Sequence, residues 1–382
     1  MIIYRCSFKN ISLYERKMTM KKLLSLILVL TMLISLVACT PSDIPVEGGS
    51  ETEVLTNAPE STTESEPMTE APEASFEVSY PITVTDQTGR TVTIEKEPAR
   101  LVSGYYISTS LVIALGKESN LVGIEAKAAS RSIYKLSAPD LIELPNVGSA
   151  KQFDLEGCIA LEPDLVILPA KLKDAAETLT SLGIPVLLVN PESQELLNEA
   201  RDLIATSLNC LERAAAIDAF IAEKTAILET TLKDTTAPSV YLAGNSSMLG
   251  TAGKEMYQHT VITTAGGKNV AEEITDTYWA EVSYEQLLLW DPEYIILASD
   301  ASYTVDDVLA DKSLADCRAV KEGKVYKMPD TAEAWDSPVA GGVLGSIWLA
   351  SVLHSDVFTA ETANTIIEEF YSTFYGFSYN EA

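Results

Sequence analysis

One phrase occurs twice in this chain. The first copy runs from Phe153 as FDLEGCIALEPDLVILPA, and the second runs from Val282 as VSYEQLLLWDPEYIILAS. Each copy has an apolar helical stretch, then an acid before a proline, then a string typical of a buried strand. A match at a fixed offset without gaps indicates a repeat. Two copies predict two similar α/β lobes, and the cleft between two lobes suits a ligand.

The body of the chain alternates strand and helix patterns, which predicts mainly parallel sheets covered by helices. Residues 193–233 contain no proline and no glycine, and their apolar residues recur at helical spacing, with a break near Asn209. A long helix between two lobes should restrict hinge motion. The predicted fold class is therefore α/β, with two Rossmann-like lobes whose mainly parallel sheets are joined by one long α-helix.

The composition divides the chain into five segments. The predicted segments are a leader and signal peptide (1–38), a disordered acidic tether (39–78), an N-terminal α/β lobe (79–208), an interdomain helix (209–235) and a C-terminal α/β lobe (236–382).

The leader is typical of exported proteins. Lys21 and Lys22 precede a short apolar run, and Leu36-Val37-Ala38-Cys39 places small residues before a cysteine. The run is too short and too soon followed by polar sequence for a stable membrane span. It resembles the bacterial lipobox, which would make Cys39 the lipidated first residue and hold the protein at the outer face of the cell membrane. An ordinary cleaved signal or an uncleaved anchor remains the alternative, and the true start is expected at Met18 or Met20.

The charge of the chain limits its partners. The formal net charge is −28, although the leader is basic. Nucleic acid and anionic lipid surfaces bind basic proteins, so neither is an expected partner. The tether is rich in Glu, Thr, Ser and Pro, has few large apolar groups, and should be disordered. A globular body on an extended, flexible lead is expected.

An ordered set of motifs resembles one family. These motifs are Asp86-Gln-Thr-Gly89-Arg90, Leu115-Gly116 before Leu121-Val-Gly-Ile124, Leu144-Pro145-Asn-Val-Gly148, Leu161-Glu-Pro-Asp164 and Gly266-Gly267-Lys-Asn-Val270. They resemble the long-helix class of substrate-binding proteins of ABC importers, which capture iron–siderophore complexes, haem and cobalamin. The resemblance implies a monomer that binds its ligand between the lobes. It also implies that Glu156 and Glu285, one on each lobe, dock the permease subunits. A solvated acid that favours a helix start is the alternative for each.

Ligand contacts should come from loops at the carboxyl ends of the sheet strands. The candidate ligand-binding residues of the two lobes are Tyr105, Tyr106, Arg131, Tyr134, Lys151, Phe153, Lys171, Ser246, Trp279, Trp335 and Ser337. Aromatic faces suit a bulky organic ligand, and an arginine suits a carboxylate or an oxyanion. A loop aromatic can equally cover its own core, and Arg131 can instead pair with Asp140 or Glu143.

Other chemistries have little support in the sequence. With only His259 and His354, and no carboxylate–histidine spacing, we expect no bare metal site and no cofactor other than the transported metal complex. Haem held by Tyr105 or Tyr106 stays open. No GxSxG, HExxH, P-loop or dinucleotide motif is present, so an enzyme is not expected. Whether any two of Cys158, Cys210 and Cys317 pair is left open.

The function expected from the sequence is a lipid-anchored extracytoplasmic receptor of an ABC importer. It would capture a ferric siderophore, haem or cobalamin between its lobes and deliver it to the permease. The alternative within the class is a receptor for molybdate or tungstate, and a more distant alternative is a surface-anchored hydrolase.

Overall fold

A computed structural model describes residues 76–275, 277 and 279–382. The expectations for the leader, for lipidation at Cys39 and for nearly all of the tether fall outside these ranges.

The first lobe is organised around a parallel sheet. Its strands are β1 (Ile82–Thr85), β2 (Thr91–Ile94), β3 (Leu101–Ser103), β4 (Leu121–Ile124), β5 (Gly148–Ser149), β6 (Gln152–Phe153), β7 (Leu165–Pro169) and β8 (Val186–Val189). Strands β4, β3, β7 and β8 lie side by side in that order and are parallel. Nearly all of their residues are buried, as is typical of a parallel sheet with both faces covered. The antiparallel hairpin β1–β2 precedes this sheet.

The second lobe repeats the arrangement. Its strands are β9 (Ser239–Ala243), β10 (Gly250–Ala252), β11 (Lys268–Asn269), β12 (Trp279–Glu281), β13 (Tyr294–Leu297) and β14 (Val325–Lys327). The parallel sheet has the order β11, β9, β13, β14, and β10 pairs with β12 in a short antiparallel ribbon.

Helices cover both sheets. They are α1 (Tyr106–Ala114), α2 (Ser132–Ser137), α3 (Leu155–Ala160), α4 (Lys173–Ser181), α5 (Gln194–Ser207), α6 (Leu211–Leu232), α7 (Tyr257–Thr264), α8 (Tyr284–Trp290), α9 (Val305–Leu309), α10 (Arg318–Lys321), α11 (Val343–Leu353) and α12 (Ala360–Phe374).

The repeated phrase forms the same unit in each lobe. It runs from α3 to β7 in the first lobe and from α8 to β13 in the second. The acid before the proline, Glu162 or Asp291, has a positive φ in both copies, 47° and 42°. Positive φ is uncommon for residues other than glycine. Its occurrence at equivalent positions indicates that the two copies share their backbone path as well as their pattern.

The predicted long helix is α6, which has 22 residues and joins the two halves. The break before it falls at Asn209, whose φ is positive at 52°. The buried side chains of α6 include Ile217, Phe220 and Leu228, and they belong to an apolar cluster with members in both lobes. Separate clusters cover the other faces of the two sheets. The lobes therefore share a core along this helix.

The carboxyl end of α12 adds a second link between the lobes. Arg213 on α6 donates from Nε to the carbonyl of Ala114 and from Nη2 to that of Phe374, both at 3.0 Å. Ser137 of the first lobe donates to the carbonyl of Tyr375 at 2.7 Å. Carbonyls in the last turn of a helix have no partner within the helix, so these bonds satisfy groups that would otherwise be unpaired. The expectation of a single brace was therefore incomplete.

The predicted fold class is confirmed: two α/β lobes with parallel sheets are joined by a long helix. The boundaries assigned to the individual segments stay a prediction.

The shared core gives a stability prediction. Leu228 on α6 is fully buried, whereas its neighbour Ile227 is 37% exposed. Leu228→Ala should lower the free energy of unfolding by about 2–5 kcal/mol, because it removes buried methyl groups and leaves a cavity. Ile227→Ala is the matched control and should cost about 1 kcal/mol or less. Urea unfolding of both variants measures the difference, and equal losses would contradict the assignment of Leu228 to the core.

Candidate ligand site

A cavity of about 450 Å³ lies between the two lobes. Its walls are segments that follow β3 and β4 in the first lobe and β13 and β14 in the second, so the carboxyl ends of both sheets face it. Each lobe contributes seven lining residues. They are Tyr106, Ser110, Ser130, Arg131, Ser132, Ile133 and Tyr134 from the first lobe, and Asp300, Asp330, Ala332, Glu333, Ala334, Ser337 and Val339 from the second.

The Arg131 guanidinium is held in place by two neighbours. It lies 4.1 Å from the centroid of the Tyr106 ring, at a distance typical of a cation–π contact. Its Nε donates to Glu125 Oε1 at 3.3 Å. No hydrogen bond to its two Nη atoms is found within residues 76–275, 277 and 279–382. The arginine therefore keeps donors available on a fixed, planar group at the cavity wall.

Glu125 is the buried residue that holds this part of the cavity wall together. Its carboxylate also accepts from the hydroxyl of Thr109 at 2.7 Å and from that of Tyr134 at 2.8 Å. Three donors on one carboxylate offset the cost of burying its charge. The ion pair that we considered between Arg131 and Asp140 or Glu143 is thus replaced by one with Glu125. Glu125 was not among the residues predicted for the site, although it directly follows β4 at the expected edge.

The second lobe presents carboxylates to the cavity. Asp300 and Asp330 are exposed on its rim, whereas Glu333 is 8% exposed. Glu333 Oε2 accepts from the Ser110 hydroxyl at 3.0 Å, and Oε1 is buried without a hydrogen-bond partner in the described residues. Burial raises the pKa of Glu333 to about 7, although Ser110, Gly341 and Tyr371 act in the opposite direction.

Four of the predicted ligand residues line this cavity: Tyr106, Arg131, Tyr134 and Ser337. Tyr134 is fully buried, and its hydroxyl is committed to Glu125. Tyr105 is half-buried beside the cavity, and its ring packs edge-on against Tyr106 with centroids 5.3 Å apart.

Trp335 does not lie at the cavity. It is 1% exposed, its Nε1 donates to the Tyr371 hydroxyl at 2.7 Å, and its ring packs 5.6 Å from that of Tyr379. An indole that buries its whole area and satisfies its one donor has no group left for a ligand. The expectation of a ligand contact at Trp335 therefore needs correction: this tryptophan is a core residue.

The remaining candidates are outside the cavity wall. Phe153 packs against the apolar cluster on one face of the first sheet. Trp279, on β12, is 41% exposed. The other three are exposed polar or charged residues: Lys151, Lys171 and Ser246. Their positions in the sequence correctly indicated the carboxyl edges of the sheets, but their side chains do not line the cavity.

The described residues contain no group of three or more His, Cys, Asp or Glu placed to hold a metal ion. Cys158, Cys210 and Cys317 are free thiols. Burial raises the pKa of both Tyr105 and Tyr106, with Arg131 acting in the opposite direction on each.

The two glutamates of the repeat occupy equivalent surface positions. Glu156 and Glu285 are both exposed in the first turn of a helix, α3 and α8 respectively. Each lies two residues after its N-cap, where Asp154 or Ser283 accepts a bond from the backbone. An acid in the first turn is favourable to the helix dipole, so this position alone does not require a partner.

Within the described ranges, none of the helices combines the length and apolar character needed to span a bilayer.

Known proteins with the same fold bind small ligands. A protein named molybdate-binding protein MolA, from Haemophilus influenzae, is 25% identical over 324 residues, which cover 78% of this chain and 91% of the relative. A vitamin B12-binding protein from Salmonella paratyphi A is 31% identical over 172 residues, covering 44% of this chain and 64% of the relative. A periplasmic solute binding protein of known structure, from Veillonella parvula, superposes with a TM-score of 0.68 at 28% identity, over 78% of this chain and 93% of that protein.

The family model described as periplasmic binding protein matches residues 101–332, most of both lobes. Members of this kind are substrate-binding receptors of transporters and not enzymes, so the hydrolase alternative is not supported. A cavity at the interface of two domains is a preferred place for a small-ligand site. This chain belongs to the periplasmic binding protein family.

Proposed function

We propose that this protein is a lipid-anchored extracytoplasmic receptor that captures a metal complex between its lobes and delivers it to an ABC permease. The observation that carries the proposal is the cavity at the facing sheet edges, with the Arg131 guanidinium fixed over the Tyr106 ring. A preformed site of this kind lowers the ordering cost of binding.

The cavity volume supports an organic complex as the ligand. Pockets of about 300–1,000 Å³ suit ligands of drug size, and this one falls within that range. The Tyr106 ring and the Ile133 and Val339 side chains offer apolar area to a bulky ligand, and Arg131 offers donors to its acceptor groups. The vitamin B12-binding relative supports a corrinoid as one member of the class.

Molybdate or tungstate is the second candidate, because MolA is similar over most of the chain and Arg131 suits an oxyanion. The electrostatics of the cavity oppose it. The charge of Arg131 is already paired with Glu125. The facing wall carries Asp300 and Glu333, together with Asp330, which is paired with Lys327. Carboxylates near a dianion repel it. The metal complex is therefore the better supported ligand.

Haem ligated by a tyrosine has less support than the other complexes. Tyrosine binds iron as the phenolate, and burial raises the pKa of both Tyr105 and Tyr106. Direct ligation by either would have to overcome that preference for the neutral phenol.

The anchor and the docking surface complete the proposal. The lipobox-like sequence that ends at Cys39 supports a lipid anchor at that residue, which would hold the protein, as a monomer, at the outer face of the membrane. Glu156 and Glu285 are exposed at equivalent helix starts, one on each lobe, which supports their docking of cationic groups on the two halves of a permease. Glu285 lies one turn before Leu289, which is 78% exposed.

The ligand assignment is tested by thermal shift with cyanocobalamin, haemin, ferric siderophores, molybdate and tungstate. A true ligand at a hundred times its Kd should stabilise the protein by about 2.7 kcal/mol. We expect a metal complex to do so and the two oxyanions to give no shift. Arg131→Met should reduce the shift. Lys135→Met, which removes a charge from an exposed position on α2, the helix that follows Arg131, should not. A shift with molybdate alone would favour the second candidate.

The docking assignment is tested by charge reversal. Glu156→Arg combined with Glu285→Arg should leave ligand affinity unchanged and abolish uptake in cells, because both contacts with the permease would become repulsive. The matched control is Glu212→Arg with Glu229→Arg, two exposed acids on α6, which should retain uptake. Uptake that survives reversal at Glu156 and Glu285 would exclude these residues as docking groups.

A further inference from the structure

Glu333 is a buried carboxylate whose role the fold does not explain. It lines the cavity and is 8% exposed, its Oε2 accepts from Ser110 of the other lobe, and Oε1 has no hydrogen-bond partner in the described part of the chain. A buried polar atom without a partner costs roughly 1–3 kcal/mol. Such a group in a binding cavity is one that a ligand can satisfy.

The local backbone is shaped to admit this carboxyl group. A Cβ on Gly341 would clash with Glu333 Oε1, so another residue at 341 would require the end of the Glu333 side chain to shift. Gly341 belongs to the turn that leads into α11.

The other groups around Glu333 do not balance a negative charge. The titratable side chains packed near it are Tyr257 on α7, and Tyr371 and Tyr375 at the end of α12; burial raises the pKa of all three, and Glu333 adds to that effect. None of them is a cation. Across the cavity the one arginine, Arg131, is paired with Glu125.

The charges of the cavity wall therefore sum to a negative value. Glu333 and Asp300 stand on the second lobe without a salt bridge in the described residues. Asp330 is paired with Lys327 at 3.8 Å, and the Arg131–Glu125 pair on the first lobe is neutral overall. A cationic group entering the cavity gains attraction from the Glu333 and Asp300 carboxylates and provides the missing donor to Oε1.

We infer that the receptor selects a metal complex with a positively charged amine, which donates to Glu333 while the rest of the complex lies against Tyr106 and Arg131. This inference rests on the proposed function and adds the charge of the ligand to it. It separates this site from one built for an anion, in which Glu333 would be unfavourable.

A matched pair of ligands tests the inference. Ferrioxamine B is a ferric trihydroxamate complex with a free ammonium group, and its N-acetyl derivative has the same iron core without the charge. Titration calorimetry on the full chain should give at least tenfold tighter binding of ferrioxamine B. An ammonium group stays protonated between pH 6 and 8. Because burial raises the pKa of Glu333 to about 7, the preference should weaken as pH falls from 8 to 6.

Glu333→Gln should remove most of the preference and its pH dependence, since an amide can still accept from Ser110 but carries no charge. Asp140→Asn, an exposed acid outside the cavity wall, is the control and should change neither. If Glu333→Gln fails to fold, the comparison of the two ligands on the unaltered protein at pH 6 and 8 still decides. Equal affinities for both ligands, or a preference retained by Glu333→Gln, would overturn the inference.

The two proposals fail in different ways. If cyanocobalamin or haemin stabilises the protein but ferrioxamine B does not bind, the receptor function stands and the inference about a cationic amine is wrong. If no metal complex in either experiment binds, both are wrong.

Discussion

The direction of the strands is the constraint on which the site depends. In a parallel sheet with helices on both faces, all carboxyl ends lie at one edge, and the loops that leave that edge form one surface. Here the chain builds two such sheets, and their carboxyl edges face each other across the cavity. Tyr106 follows β3, Arg131 follows β4, and the segment from Asp330 follows β14. The groups that line the cavity are thus brought together by topology, although they are far apart in sequence.

The links between the lobes determine how far that cavity can change. The helix α6 shares its apolar side chains with both lobes, and Arg213 joins the ends of α1 and α12. Ser110 adds a bond from the first lobe to Glu333. Large opening would expose the shared core and break these bonds, so movement on binding should be small. Affinity then depends on groups that are already in position, such as the guanidinium on the Tyr106 ring.

The periodic features could be predicted from the sequence, because hydrophobic spacing is a local property. The repeat and the helix α6 with its break at Asn209 both follow from it. The individual side chains of the site could not, since burial is set by residues distant in the chain. Trp335 was expected at the ligand. It lies in the core instead, where the hydroxyl of Tyr371 on the last helix accepts a hydrogen bond from the indole Nε1. Glu125 was missed because nothing in its own segment indicates that Thr109, Tyr134 and Arg131 converge on it.

The ion pair between Glu125 and Arg131 also affects the release of the ligand. A receptor of this kind has to give up its cargo and return to capture more. If an arginine relied on the ligand for its counter-charge, its positive charge would be unpaired each time the ligand left. That cost would slow release. Here the counter-charge comes from the chain itself, because Glu125 pairs with the guanidinium. The arginine therefore does not need the ligand to balance its charge, and each cycle of loading and release can begin from the same arrangement.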